Sequence, residues 1–193
     1  MELLMTPRRI LVWLRDRLHQ ALHPRRRRRA LERLADQRPR AVLFVCLGNV
    51  CRSPYAERVL VPGPDGRPAV ESAGFIKPGR TPPDNALLVA RERGVEHGDH
   101  RSQTLTPEML ARAEAVFFFD RYNRADLLRA PGVHPERLYW LGDFDPEWAG
   151  RRAILDPWGK DEAEFHRVFA RIERCIREVE ACFRDVDVPV RGD

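Results

Sequence analysis

The sequence predicts an α/β fold, a three-layer sandwich with a central parallel sheet of about four strands, on three observations. Short apolar runs rich in β-formers alternate with helical patterns through the middle of the chain. The first of these runs, Ala41 to Cys46, is apolar along its whole length, as in a strand covered on both faces. Near the C-terminus a long apolar stripe at helical spacing supplies a layer to pack on the sheet. With 193 residues and 43% apolar composition, the chain is large enough for one well-filled domain and an appendage.

The appendage comes first. Leu11, Leu14, Leu18 and Leu22 share one helical face over residues 7 to 22, and Pro24 is expected to end that helix. Arg25 to Arg29 lead into a second short helical pattern through Leu31 and Leu34, and Pro39 marks a boundary. Residues 1–38 therefore read as a basic amphipathic arm, helical or partly disordered, residues 39–185 as the main domain and residues 186–193 as a frayed tail. Residues 1 to 40 hold 12 arginines against 4 acidic residues, whereas residues 41 to 193 hold 22 basic against 25 acidic, so the basicity belongs to the arm. Such a segment suits an anionic membrane surface or an acidic partner, with a merely solvated arm as the plain alternative. Nucleic acid is disfavoured, because no aromatic platform is interleaved with the arginines. The apolar run Ile10 to Leu14 is too short for a signal peptide or a membrane span, and four cysteines make no dense disulfide framework. A soluble, cytoplasmic protein is expected.

Within the main domain, strands are predicted at 41 to 46, 69 to 73, 115 to 119 and 137 to 141. Helical patterns fall at about 53 to 60, 83 to 93, 107 to 112 and 122 to 129. Residues 61 to 68 are dense in Pro and Gly and read as a surface turn. Over residues 161 to 183, Phe165, Val168, Phe169, Ile172, Ile176, Val179 and Phe183 keep the helical stripe.

Chemistry concentrates in the segment Val42-Leu43-Phe44-Val45-Cys46-Leu47-Gly48-Asn49-Val50-Cys51-Arg52-Ser53-Pro54. It places Cys46 at the carboxyl end of a parallel strand, the edge of an open α/β sheet where ligands bind, just before a helix start that favours anions. Five residues separate Cys46 from Arg52, enough to curl round a tetrahedral anion, and Gly48 and Asn49 tolerate the left-handed backbone that such a cradle needs. The same field favours the nucleophilic thiolate of Cys46, and the Arg52 guanidinium can grip two phosphoryl oxygens at once. Cys46 is expected to be exposed to solvent and open to oxidation, with Cys51 as a nearby thiol.

The segment resembles the signature loop of the low-molecular-weight protein tyrosine phosphatases of bacterial type, a strand ending in Cys and then Leu-Gly-Asn-x-Cys-Arg-Ser-Pro. The resemblance extends over about residues 40 to 184. It implies Cys46 as nucleophile, Arg52 as phosphoryl clamp and Asp156, in Asp156-Pro157-Trp158, as the general acid that protonates the leaving oxygen and later activates water. It further implies that Leu47, Gly48, Asn49, Val50, Cys51, Ser53 and Trp158 bind substrate, the last as an aromatic wall. Ser72 and His100 would join Asn49 and Ser53 in hydrogen bonds that hold the loop, although a lone His such as His100 is as readily a surface or capping residue. Asp120 either lines the edge of the site or caps the helix that begins near Tyr122. The implied activity is hydrolysis of phosphotyrosine-like aryl phosphates through a phosphocysteine, on a phosphotyrosine protein or a small aryl phosphate, with no metal or cofactor.

Two departures bear on substrate. The stretch Ser72 to Gly79 is shorter than the family's usual loop and lacks its aromatic wall, for which Phe75 can substitute, and Trp158 stands where Tyr is commoner. Two other readings stay open. Arsenate reduction on the same fold would need relay thiols, and Cys175 and Cys182 lie seven apart on one helix, about 10 Å along its axis, where packing is their simpler role. A non-catalytic phosphate-binding module would use the same cradle.

Overall fold

The computed structural model describes residues 7–62 and 68–184, with the side chains of residues 7–16 left aside. The apolar positions Leu11 and Leu14, the turn tip at 63–67 and the tail at 186–193 lie outside the described residues. Four strands form one parallel sheet: β1 (Ala41–Cys46), β2 (Ala69–Gly74), β3 (Ala115–Phe118) and β4 (Leu138–Trp140), in the order β2-β1-β3-β4. Helices α2 (Arg52–Val59), α3 (Asp84–Glu92), α4 (Pro107–Arg112) and α5 (Arg121–Leu127) occupy the crossovers, which parallel strands require, and α6 (Glu162–Arg184) closes the domain.

Strand side chains alternate between the two faces, and the core divides accordingly. Val42, Phe44, Cys46, Phe117 and Tyr139 pack with α2, α3 and α6, whose stripe Phe165, Phe169, Ile172, Cys175, Ile176 and Val179 is buried throughout. Leu43, Val45, Val116, Phe118 and Leu138 pack on the other face with Met109 and Leu110 of α4 and Leu127 of α5. Three layers result, with β1 covered on both sides as its unbroken apolar run predicts.

The N-terminal helix differs from expectation. Pro24 does not end it: α1 runs unbroken from Pro7–Gln37 with the proline inside. Proline lacks the N–H that would bond the carbonyl of Gln20, so the helix loses one rung there and tertiary contacts hold its second half. Leu34 is fully buried in the α6-side core. His23 Nε2 lies 2.9 Å from the Asp145 carbonyl, Arg33 donates to the Leu138 carbonyl at 2.6 Å, and Gln37 donates to the Glu114 carbonyl at 2.7 Å. Arg27 pairs with Glu178 of α6. No described helix is long and apolar enough to cross a membrane.

Candidate active site

Cys46 ends β1, and the five residues after it turn back to start α2 at Arg52. Asn49 makes this turn with φ at +49°, a left-handed conformation that Asn tolerates better than most residues. Its backbone N–H donates to Cys46 Sγ at 3.2 Å, and Ser53 Oγ lies 3.1 Å from the same sulfur. Two donors thus point at the atom that would carry negative charge. Contrary to expectation, Cys46 is only 3% exposed, because the loop wraps its sulfur on the way back to the helix. Cys51 is equally enclosed, and burial pushes its thiol far above the usual range, aided by the nearby Asp156.

Arg52 is the largest fully buried side chain, 1% exposed. Its Nη1 donates to Asp120 Oδ2 at 2.6 Å and to the Ile154 carbonyl at 3.0 Å, and its Nη2 donates to Asp156 Oδ2 at 2.7 Å. Burial by itself would lower the guanidinium pKa, but Cys46, Asp156 and Asp120 together hold it above its ordinary value, so it is a fixed cation. Its Nε, on the same edge as Nη2, is buried with no partner among the described residues. That edge is the bidentate fork that matches phosphate, with one prong unpaired and the other on Asp156. Asp120 caps α5 and also contacts Arg52. One oxygen anchors Arg52, and the other accepts from the N–H groups of Tyr122 and Asn123 as the N-cap of α5.

A hydrogen-bond network centred on Asn49 shapes the loop. The Asn49 amide donates to Ser53 Oγ at 3.0 Å and to Ser72 Oγ at 2.8 Å, and its Oδ1 accepts from the backbone N–H of Gln103 at 2.8 Å. His100 Nε2 lies 2.8 Å from the Asn49 carbonyl, so its link to the loop is through backbone, not side chain. Gly74 ends β2 where a Cβ would stand 2.8 Å from Asn49 N and 2.8 Å from the Leu47 carbonyl, so only glycine lets the loop pass. Residues not singled out in the sequence complete the network. Arg80 donates to the Gly48 carbonyl at 2.6 Å, Gln103 donates to the Ser72 carbonyl, and Ser72 Oγ donates to Glu57, whose carboxyl burial lifts. Glu57 had a signal, since it lies four residues after Ser53 on α2 and so shares its face. Arg80 and Gln103 sit on irregular segments and had none.

The Asp156 segment hangs on charge pairs also hidden in the sequence. Asp145 is fully buried between Arg171 and Arg174, and Arg171 also donates to the carbonyls of Ala153 and Arg151. Ile154 donates its N–H to the Phe119 carbonyl at 2.8 Å. Asp156 is thereby brought to Arg52, and its other oxygen accepts from Trp158 N at 3.2 Å. Trp158 is 54% exposed and Leu47 42%, leaving apolar surface beside the loop. Phe75 is partly buried and packs on the α5-side core.

Comparison with known proteins agrees with this geometry. The profile of the family described as low molecular weight phosphotyrosine protein phosphatase matches residues 41–186. A low molecular weight protein-tyrosine phosphatase A from Mycobacterium bovis is 36% identical over 147 residues, covering 72% of this chain and 88% of its own length. A low molecular weight phosphotyrosine protein phosphatase from Sus scrofa is 30% identical over 154 residues, covering 75% and 96%. The crystal structure of a low molecular weight phosphotyrosine phosphatase from Vibrio cholerae O395 superposes with a TM-score of 0.66 at 27% identity, covering 77% of this chain and 99% of that one. The strand, the cradle that closes on Cys46 and the matches on either side of it thus place the chain among the low molecular weight protein tyrosine phosphatases, as a phosphatase enzyme.

Proposed function

We propose that residues 39–185 form a phosphatase domain that hydrolyses phosphotyrosine-like aryl phosphate monoesters, on proteins or small molecules, through a phosphocysteine intermediate. The observation that carries this reading is the buried Arg52 fork, Nε without a partner among the described residues and Nη2 on Asp156, at the end of the short loop that begins at a Cys46 sulfur receiving two hydrogen bonds. Cys46 attacks phosphorus in line, and the P–O bond to the leaving group breaks as Asp156 delivers its proton to that oxygen. Water then attacks the phosphocysteine, Asp156 takes its proton, and the thiolate leaves with Ser53 Oγ donating to it. Arg52 and the backbone N–H groups of Leu47, Gly48, Asn49, Val50 and Cys51 hold the equatorial oxygens through both steps. Trp158 and Leu47 flank the aryl ring. Ser72 and His100 act on the loop rather than on substrate, and Asp120 fixes the far end of Arg52.

Arsenate reduction is less well supported. Cys175 is fully buried in the α6 stripe with its thiol pushed far up by desolvation, and it shares one helix with Cys182, a poor geometry for a disulfide relay. A nucleophilic thiolate needs reducing surroundings, which favours the cytoplasm. The arm at residues 1–38 is open to an anionic membrane surface or an acidic partner, since Arg25 and Arg28 face solvent. Assay of a small aryl phosphate with wild type and Cys46→Ser tests the reading: turnover by the wild type and none by the variant is expected. Equal turnover by both would remove Cys46 from the mechanism, and thioredoxin-linked turnover of arsenate would favour the reductase.

A further inference from the structure

We propose that a cationic groove along the β4 edge of the sheet docks an acidic segment of the protein substrate beside its phosphotyrosine. This rests on the phosphatase reading above and adds to it a recognition element outside the reacting site. A cavity of about 690 Å³ lies between α5 and β4, and the charged residues that line it are Arg33, Arg121, Arg124, Arg129 and Arg152, with no carboxylate. A second cavity of about 330 Å³ continues it along α1, sharing Arg33 and Arg152 and adding Arg26, Arg29 and a single acid, Asp143. Seven arginines thus line it with one acid, although Arg129 also pairs with Asp126 at 3.4 Å, on a chain whose residues 41 to 193 carry a net negative charge. The groove is unusual within this molecule. A cavity of about 620 Å³ beside α2, α3 and α6 balances Arg58, Arg93 and Arg177 with Glu92, Glu173 and Glu180.

The arginines are arranged for an external anion. Arg152 is held on two oxygens of Asp143 with its guanidinium 4.4 Å from the centre of the Trp140 ring, and Arg33 lies 3.8 Å over Tyr139 while donating to the Leu138 carbonyl. These contacts fix the floor in place. Arg29 and Arg124 are exposed and paired with no carboxylate among the described residues, so their forks are available to one. The groove is tied to the reacting site through the chain. Arg121 follows Asp120, which anchors Arg52, and Arg152 is two residues from Ile154, whose carbonyl accepts from Arg52. From Arg121 to Leu128 the helix adds about 10 Å, a distance that three or four extended residues of a bound peptide span. A concave strip of fixed and free arginines beside the mouth suits an extended acidic chain better than the flat face of a bilayer. Base stacking has no platform here, since Phe118 is buried and Trp140 is capped by Arg152.

The test compares phosphotyrosine peptides that carry Asp and Glu three to six residues to either side with analogues carrying Asn and Gln, using wild type and the exposed double variant Arg124→Glu, Arg129→Glu. Wild type is expected to prefer one acidic peptide about tenfold in kcat/KM at low salt, chiefly through KM, and to lose the preference at high salt. The double variant should lose it at any salt while turning over a small aryl phosphate at the wild-type rate. Equal kcat/KM for acidic and neutral peptides in wild type, or a preference that survives the double substitution, would overturn the proposal. If no phosphate ester is hydrolysed, the phosphatase reading fails alone, and binding of the unphosphorylated acidic peptide decides the groove. Salt-sensitive binding lost in the double variant supports it, and no binding refutes it. A thymidine oligonucleotide or phosphatidylserine vesicles binding more tightly than the peptide, through the same two arginines, would assign the groove to nucleic acid or membrane instead.

Discussion

Arg52 and Asp156 are each tied to the other at 2.7 Å, yet the proposed mechanism asks each to act on substrate. A phosphoryl oxygen must take the Nη2 donor that Asp156 holds, so the carboxylate competes with the dianion and also repels it. Asp156→Asn should therefore tighten inorganic phosphate binding, measurable by competitive inhibition, while turnover falls roughly 10²-fold to 10⁴-fold on poor leaving groups and much less on activated aryl phosphates. Equal losses on both substrates would make Asp156 structural. Arg52→Lys should be almost as damaging as losing the nucleophile, because an ammonium cannot hold Asp120, the Ile154 carbonyl and a phosphoryl fork together, and near-normal kcat/KM would contradict that. At this scale the sequence was legible where residues are contiguous. The run from Cys46 to Ser53 carries its own chemistry, whereas Arg80, Gln103 and the Asp145 pairs with Arg171 and Arg174 meet only through the fold. The exposure expected of Cys46 fails because sequence shows that a loop curls but not that it covers the sulfur.

Among the elements, strands and crossover helices follow from apolar periodicity, since in a three-layer sandwich the pattern of burial is the pattern of the sequence. The N-terminal helix was the exception. Pro24 signals a stop by local propensity, and the contacts that override it, from Leu34, Arg33 and Gln37 to the sheet and α6, are long-range. Leu34→Ala should cost about 2 to 5 kcal/mol in denaturant unfolding, the range for a fully buried leucine, without altering kcat of the folded enzyme. A loss below about 0.5 kcal/mol for Leu34→Ala, ordinary for a surface site, would mean that α1 does not pack on the domain.

For the molecule as a whole, stability should depend on pH through His97. It is 2% exposed, both ring nitrogens lack partners among the described residues, and burial, with the stacked His100, lowers its pKa from 6.5 to about 4. The unfolded chain then takes up a proton that the folded chain refuses, so stability is full above pH 6.5 and falls toward pH 4, by roughly 3 kcal/mol from this residue. His97→Phe keeps a ring against Tyr55 and should flatten that slope in denaturant titrations between these two pH values; an unchanged slope would place the titration elsewhere.

In the proposed mechanism, the chemistry of the whole enzyme reduces to one covalent bond. Rapid acid quench of the wild type during turnover of an aryl phosphate, followed by peptide mass mapping, should find one phosphoryl group on the peptide that carries Cys46, and Asp156→Asn should not shift it to another residue. Turnover with no adduct on Cys46 under saturating substrate, or an adduct on any other side chain, would contradict the account.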